Sequence, residues 1–242
     1  AAQSTVSASP ATITAATGTS TITVTVRDAN NNPISGRTVT LAASGTGNTI
    51  TQPATATDAS GQVTGGLSSL FAGTKTVTAT VDGATVITQT AAVTVVAGAV
   101  SAGQSTVSAS PTTITAGGGS STITATAKDA NGNPIAGATV ILAATGTGNT
   151  LTQPLGTTNA SGVATGTLSS TLAEGKTVSA TISSVAITET AAVTVVAGAV
   201  SAAQSTVSTS PTTITASTGT STITVTARDA NGNPIAGATV VL

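Results

Sequence analysis

The stretch DANGNPIAGATV, from Asp129 to Val140, has the residue types and spacing that invite a metal-binding reading. Asp129, Asn131 and Asn133 alternate as the oxygen ligands of a calcium loop do, and the pattern recurs from Asp229 to Val240 and, as DANNNPISGRTV, from Asp28 to Val39. A helix–loop–helix calcium site places glycine sixth and a bidentate glutamate twelfth. Here those positions hold Pro134 and Val140. The alternative is a turn. Asp and Asn side chains close onto their own backbone, Gly132 and Gly137 supply positive φ, and Pro134 sets φ near −65° and cannot donate to a ladder. The turn reading is the expectation, with no metal ligand assigned.

Other chemistry has thinner material. Lys75 and Lys176 invite an intramolecular Lys–Asn bond, which needs a buried lysine, an asparagine and an acid together, and neither has an obvious partner set. Asn159-Ala160-Ser161 is a formal glycosylation sequon, but the first copy has Asp58-Ala59-Ser60 in its place, so a turn that accepts either Asp or Asn explains both. The exposed Thr and Ser are possible O-glycan acceptors, with none singled out. The chain has no His and no Cys, and its seven acids are dispersed, so no nucleophile–base pair can be assembled. No catalytic residue, cofactor or metal is expected. The pairs Arg27-Asp28, Lys128-Asp129 and Arg228-Asp229 read as charged guards at strand ends.

The elements around these residues are strands. In the first copy, Ser4 to Ser9 reads as an edge strand broken at Pro10 and continued by Ala11 to Thr14. Ser20 to Arg27 alternates, with Ile22, Val24 and Val26 on one face and Thr21, Thr23 and Thr25 on the other. Arg37 to Ala43 turns Val39 and Leu41 inward; short extended pieces follow at Thr49 to Thr51 and Ala54 to Thr57. Gln62 to Ser69, Thr74 to Val81 and Val86 to Val96 complete the copy, with Val63, Leu67, Val77, Ala79, Val81, Val93 and Val95 inward. Short alternating strands with turn signals every 8–12 residues predict a β-sandwich.

Composition narrows the function. The chain has 242 residues, of which 5% are charged, and its net charge is −1. Nucleic acid demands a dense basic footprint, whereas the six basic residues here are scattered singly. No apolar run approaches the roughly 18 residues of a membrane span, so no membrane insertion is expected in this segment. One Phe and no Trp or Tyr leave no aromatic platform for sugar binding. The lack of Cys, Met and Trp suits exposure outside a cell. With no initiator Met and no signal peptide, the sequence reads as a mature or excised piece of a longer chain.

Pro10, Pro111 and Pro211 align, as do Gln3, Gln104 and Gln204, which sets a period of about 100 residues. The copies lose register at a hairpin tip, where Val81-Asp82-Gly83-Ala84-Thr85-Val86 becomes Ile182-Ser183-Ser184-Val185-Ala186. Three domains are expected: repeat 1 over residues 1–98, repeat 2 over 99–198 and the N-terminal strands of a partial repeat 3 over 199–242. The short apolar joints, Val95 to Ala102 and Val195 to Ala202, predict neighbouring repeats docked end to end rather than freely jointed. The third copy reaches only Leu242, so either the array continues or another chain supplies its remaining strands.

The motif set resembles the bacterial immunoglobulin-like domain, group 1. It consists of Asp129 to Val140, Thr158 to Thr165 and Lys176 to Ile182, echoed at Asp28 to Val39, Thr57 to Thr64 and Lys75 to Val81. The resemblance implies an all-β fold of tandem Ig-like sandwiches arranged end to end. It also implies the extracellular stalk of an intimin- or invasin-like adhesin at a bacterial cell surface, spacing a distal binding tip from the envelope. The core aromatic usual in such domains is reduced to Phe71 and becomes Leu172 in the second copy. The receptor-binding tip and outer-membrane barrel of invasins have no match here, so no receptor is carried over. The low charge and long Thr/Val strands suggest an alternative, a self-assembling extracellular filament or sheath subunit, with strand exchange between identical chains as a route.

Overall fold

Alternation of Thr with Val or Ile lets one face of each strand bury while hydroxyls solvate the other, and the chain uses this throughout. The structure, a computed structural model, describes residues 2–242 and shows no helix among them. It divides into two compact units. One runs to Gln104 and includes Lys128–Ile135; the other comprises Ser105–Ala127 and Ala136–Leu242.

The sandwich of the first unit is built from β1 (Thr5–Ser9), β2 (Thr12–Thr14), β3 (Ser20–Thr25), β4 (Val39–Ala43), β5 (Asn48–Thr51), β6 (Gln62–Ser69), β7 (Gly73–Val81), β8 (Thr85–Val86) and β9 (Ala91–Val96). One sheet has the order β1-β3-β6-β5 and the other β2-β9-β7-β4, with β8 hydrogen-bonded to β7. The first strand of the chain therefore changes sheets at Pro10. β1 pairs antiparallel with β3, and β2 pairs parallel with β9. Ile22, Val24, Leu67, Val77, Ala79, Val93 and Val95 fill the space between the sheets, all facing inward as the alternation requires.

The second unit repeats this plan with β10 (Thr106–Ser110), β11 (Thr113–Thr115), β12 (Ser121–Thr126), β13 (Val140–Ala144), β14 (Asn149–Thr152), β15 (Val163–Ser170), β16 (Gly175–Ile182), β17 (Val185–Ala186) and β18 (Ala191–Val196). Its sheets are β10-β12-β15-β14 and β11-β18-β16-β13, with β17 on β16. The unit also carries an antiparallel pair, β19 (Thr206–Ser210) and β20 (Thr222–Thr226). Val207 and Ile223 of that pair are exposed, whereas their counterparts Val107 and Ile123 are buried.

Two local expectations need correction. Ala54 to Thr57 is not a strand, because Thr57 spends its main-chain groups on a loop. Its N–H donates to the Arg37 carbonyl at 2.9 Å and its carbonyl accepts from Gly36 at 2.8 Å. Val86 to Val96 is not continuous either; β8 and β9 are separate, with Ile87 buried between them and its N–H donating to Ala79. The hairpin tip is where the copies differ in length. Asp82 and Gly83 take positive φ at one tip and Ser183 and Ser184 at the other.

The β4 edge is closed by a side chain. Gln52 accepts the Leu41 N–H at 2.7 Å and donates to the Leu41 carbonyl at 2.8 Å, as a neighbouring strand would. Gln153 does the same to Leu142 on β13, at 2.7 and 2.9 Å.

Candidate functional site

The recurring turn is built as its residue types demand. Asp129 Oδ1 accepts the main-chain N–H groups of Asn131 and Asn133, both at 2.9 Å. Gly132, at φ 81°, donates to the Asp129 carbonyl at 3.1 Å, and Lys128 bridges to Pro134. Asp58 and Asn159 show how freely such a turn exchanges acid for amide. Asp58 Oδ1 accepts from Ser60 and Gln62 at 2.8 and 2.9 Å, and Asn159 Oδ1 from Ser161 and Val163 at 2.9 and 3.0 Å.

The second half of the turn does something further. Within the first unit, Asn133 reaches the end of the sandwich and behaves as a strand would. Its Nδ2 donates to the Leu70 carbonyl at 2.9 Å, and its Oδ1 accepts the Ala72 N–H at 2.8 Å. Asp129 Oδ2 accepts from Gly98, just beyond β9, at 2.9 Å and from Asn133 Nδ2 at 2.7 Å. Ser101 donates to the Lys128 carbonyl at 2.8 Å. All four acceptor directions of the Asp129 carboxylate thus face N–H donors. Asp129 and Asn133 are buried, at 2% and 6% exposure.

The second unit repeats the clamp. Asn233 donates to Thr171 and accepts from Ala173, both at 2.9 Å. Asp229 accepts from Gly198 at 2.9 Å and from the Asn233 amide at 2.8 Å. Arg228 braces the loop by donating to the Gly232 carbonyl at 2.6 Å. These charged pairs are therefore not strand-end guards in repeats 2 and 3, since their acids lie buried in the clamp. In repeat 1 the equivalent loop is folded alike, but Asp28 is only half-buried and Asn32 is exposed. Asp28 Oδ1 accepts from Asn30 and Asn32 at 2.9 and 2.8 Å, and Oδ2 accepts from the Asn32 amide at 3.0 Å.

The hydrogen bonds set the charge state. Burial pushes the Asp229 carboxyl upward, but donors from the Asn233 side chain, Gly198, Asn233 and Asn231 outweigh it, taking the pKa from 3.8 to about 2. In Asp129, burial is likewise outweighed by the Asn133 amide, Gly98, Asn133 and Asn131, so its net shift is also downward.

The lysines have structural partners. Lys176 is fully buried, and its Nζ donates to the Thr147 carbonyl at 2.7 Å and to Glu174. That contact, then burial acting against it, then the lysine charge leave the Glu174 carboxyl below its usual value. Lys75 is also buried and points at the Thr46 carbonyl, 3.4 Å away; Gly73 stands where the second copy has Glu174. Each ammonium thus underpins the Gly-rich loop before β5 or β14.

Beside each clamp runs a groove. That of the first unit is about 460 Å³, lined by Thr14–Thr17, Gly98–Ser101 and Asp129–Asn131; that of the second is about 380 Å³. Their walls are mostly Gly, Ala and Thr, with Val100 and Ser101 in the first and an Asn in each, and the carboxylate in each is already saturated. The arrangement fastens the Asp and Asn side chains of the loop to main-chain groups at the end of the sandwich.

The sequence does not disclose the clamp, because Asn133 meets partners more than 60 residues away. One signal was present: an amide recurs four residues after the aspartate in all three copies, although an Asx turn requires only the aspartate.

Residues 1–98 match the family described as invasin, domain 3, and residues 104–196 match the bacterial Ig-like domain, group 1. Among solved structures, the chain is 34% identical to FdeC, a broadly conserved Escherichia coli adhesin, covering 98% of this chain and 76% of that one with a TM-score of 0.73. The chain belongs to the bacterial Ig-like repeat family of invasin-like adhesins. InvD of Yersinia pseudotuberculosis is 28% identical, with a TM-score of 0.68 over 96% of this chain and 72% of that one. Invasin, described as a bacterial integrin-binding protein, is 27% identical, with a TM-score of 0.56; 97% of this chain matches 48% of that one. No curated protein sequence matches. The bacterial Ig-like family accounts for the all-β tandem sandwiches, and its adhesin domains are structural rather than enzymatic.

Proposed function

We propose that these repeats are stalk segments of a bacterial cell-surface adhesin, outside the cell, holding a distal binding tip away from the envelope. The domains are taken as 1–98, 99–198 and 199–242, with neighbouring repeats as one another's partners end to end. The observation that carries the reading is the Asp–Asn clamp. It is made twice, by Asp129 with Asn133 and by Asp229 with Asn233, on the same main-chain groups. A spacer needs its joints to resist bending, and a buried, saturated carboxylate with a bidentate amide supplies direction as well as energy.

The alternative, a filament subunit assembled by strand exchange, finds less support. The β4 and β13 edges that such assembly would extend carry Gln52 and Gln153 in the place of a further strand.

The test is the distribution of distances between spin labels placed on successive sandwiches of the full chain. A single narrow peak is expected. Asn133→Ala with Asn233→Ala should broaden it while leaving the unfolding temperature of each sandwich nearly unchanged, since about 1–2 kcal/mol is removed from each clamp alone. A broad distribution in the unmodified chain would overturn the stalk reading.

A further inference from the structure

Lys75 and Lys176 hold equivalent places one repeat apart, and both are buried, at 5% and 1% exposure. Their partners differ. Lys176 Nζ donates to the Thr147 carbonyl at 2.7 Å and to Glu174, whose Oε1 also faces the Thr147 N–H at 3.4 Å. Lys75 Nζ meets the Thr46 carbonyl at 3.4 Å, and among the described residues no acid pairs with it. A buried ammonium carries three N–H donors and is normally matched by an opposite charge. Repeat 1 keeps the cation of repeat 2 and omits its anion.

The space that this anion fills in repeat 2 is open in repeat 1. A Cβ on Gly146 would collide with the Glu174 carboxylate, and Lys176 Nζ would stand 2.9 Å from it. On the equivalent Gly45, chain neighbours aside, a Cβ would meet only Lys75 among the described residues, with Nζ at 3.3 Å and Cδ at 3.8 Å. Gly73, in the position of Glu174, has nothing within 4 Å of where its own Cβ would stand. Gly45, Thr46, Gly73 and Thr74 are all exposed, so the space opens to solvent above a buried charge. The Thr46 N–H, counterpart of the one that faces Glu174, donates to no acceptor among the described residues.

We propose that this place in repeat 1 is a small-anion site, taking a free carboxylate of acetate size between the Lys75 ammonium and the Thr46 N–H. Both groups are donors, so a cation finds no ligand there. Carboxylate is the class because a carboxylate fills the corresponding space in repeat 2. There it is tethered and always present; in repeat 1 the support of the Gly-rich loop follows the anion concentration outside. The inference is independent of the stalk reading.

The test replaces chloride by acetate at constant ionic strength around the full chain and follows it by NMR. The Thr46 amide and the Lys75 Cε resonances should shift along a saturation curve with a midpoint of about 1–10 mM, within the reach of four heavy atoms. Thr147 and Lys176, served by Glu174, should stay still. Glu174→Ala, a change matched by the missing acid of repeat 1, should make Thr147 and Lys176 respond as well. Gly73→Glu with Thr74→Gly, the pair found in repeat 2, should silence Thr46. The glycine moves along because Gly73 stands at φ 125°, where a glutamate alone would be strained. A Thr46 amide that stays still, or that drifts linearly with exposed amides throughout the chain, overturns the site. So do equal responses in the two unmodified repeats, a comparison that depends on no variant folding.

Discussion

Asp229 carries one formal charge into a nearly dry position and keeps it by accepting four N–H donors. Its folded-state pKa of about 2 lies below the ordinary 3.8, so the stabilisation it supplies is complete above about pH 4 and lost as pH falls through the folded value. The joint should hold unchanged from neutrality to about pH 4 and loosen between about 4 and 2. Following the Gly198 amide by NMR through an acid titration checks this; loosening that begins near pH 6 would contradict it. The turn at this residue was legible from the sequence, because an Asx turn needs only the aspartate and the two amides that follow. The amide four residues on was visible but ambiguous: its carbonyl and N–H partners, Thr171 and Ala173, are brought near only by the fold. Lys176 shows the same limit at one of its two partners: Glu174 lies two residues away, but the Thr147 carbonyl, 29 residues away, is brought near only by the fold.

At the scale of strands and turns, alternation located the sheet elements well, and it failed where backbone groups had other uses. Thr57 reads as extended but is tied to Gly36 and Arg37. Close packing sets other choices that periodicity does not reveal. A Cβ on Gly65 would stand 2.5 Å from Leu41 Cδ1 and 2.6 Å from the Thr51 carbonyl, so β6 crosses beneath β4 and beside β5 only because that position has no side chain. Gly65→Ala should cost about 1–3 kcal/mol, read as a fall in the unfolding temperature of the first sandwich. Gln52 works at the opposite, open side of β4. Gln52→Ala would expose the Leu41 N–H and carbonyl to other chains, and concentration-dependent association by light scattering is the expected outcome, with little change in unfolding temperature.

Taken whole, the molecule is all-β sandwich with cores of Ile, Val, Leu and Ala and a single Phe, Phe71, which is itself partly exposed. Period, fold class and family were open to reading because each repeat declares itself three times. The clamp was not, since the short apolar joints, Val95 to Ala102 and Val195 to Ala202, carry no sign of it. Val96 and Val196 are exposed, while Asp129, Asn133, Asp229 and Asn233 are buried. Because those carboxylates are filled by N–H donors, unfolding temperatures and label distances should be the same in chelator as in millimolar calcium; a marked loss in chelator would show that calcium supports the joint. The receiving side of each clamp consists of main-chain atoms; Leu70 in one copy is Thr171 in the other, while Ala72 and Gly98 are matched by Ala173 and Gly198. A clamp that bonds only to backbone places little demand on the side chains it meets. Copies can then be duplicated, deleted or reordered within a gene without two surfaces having to change together, which makes the number of repeats free to vary under selection.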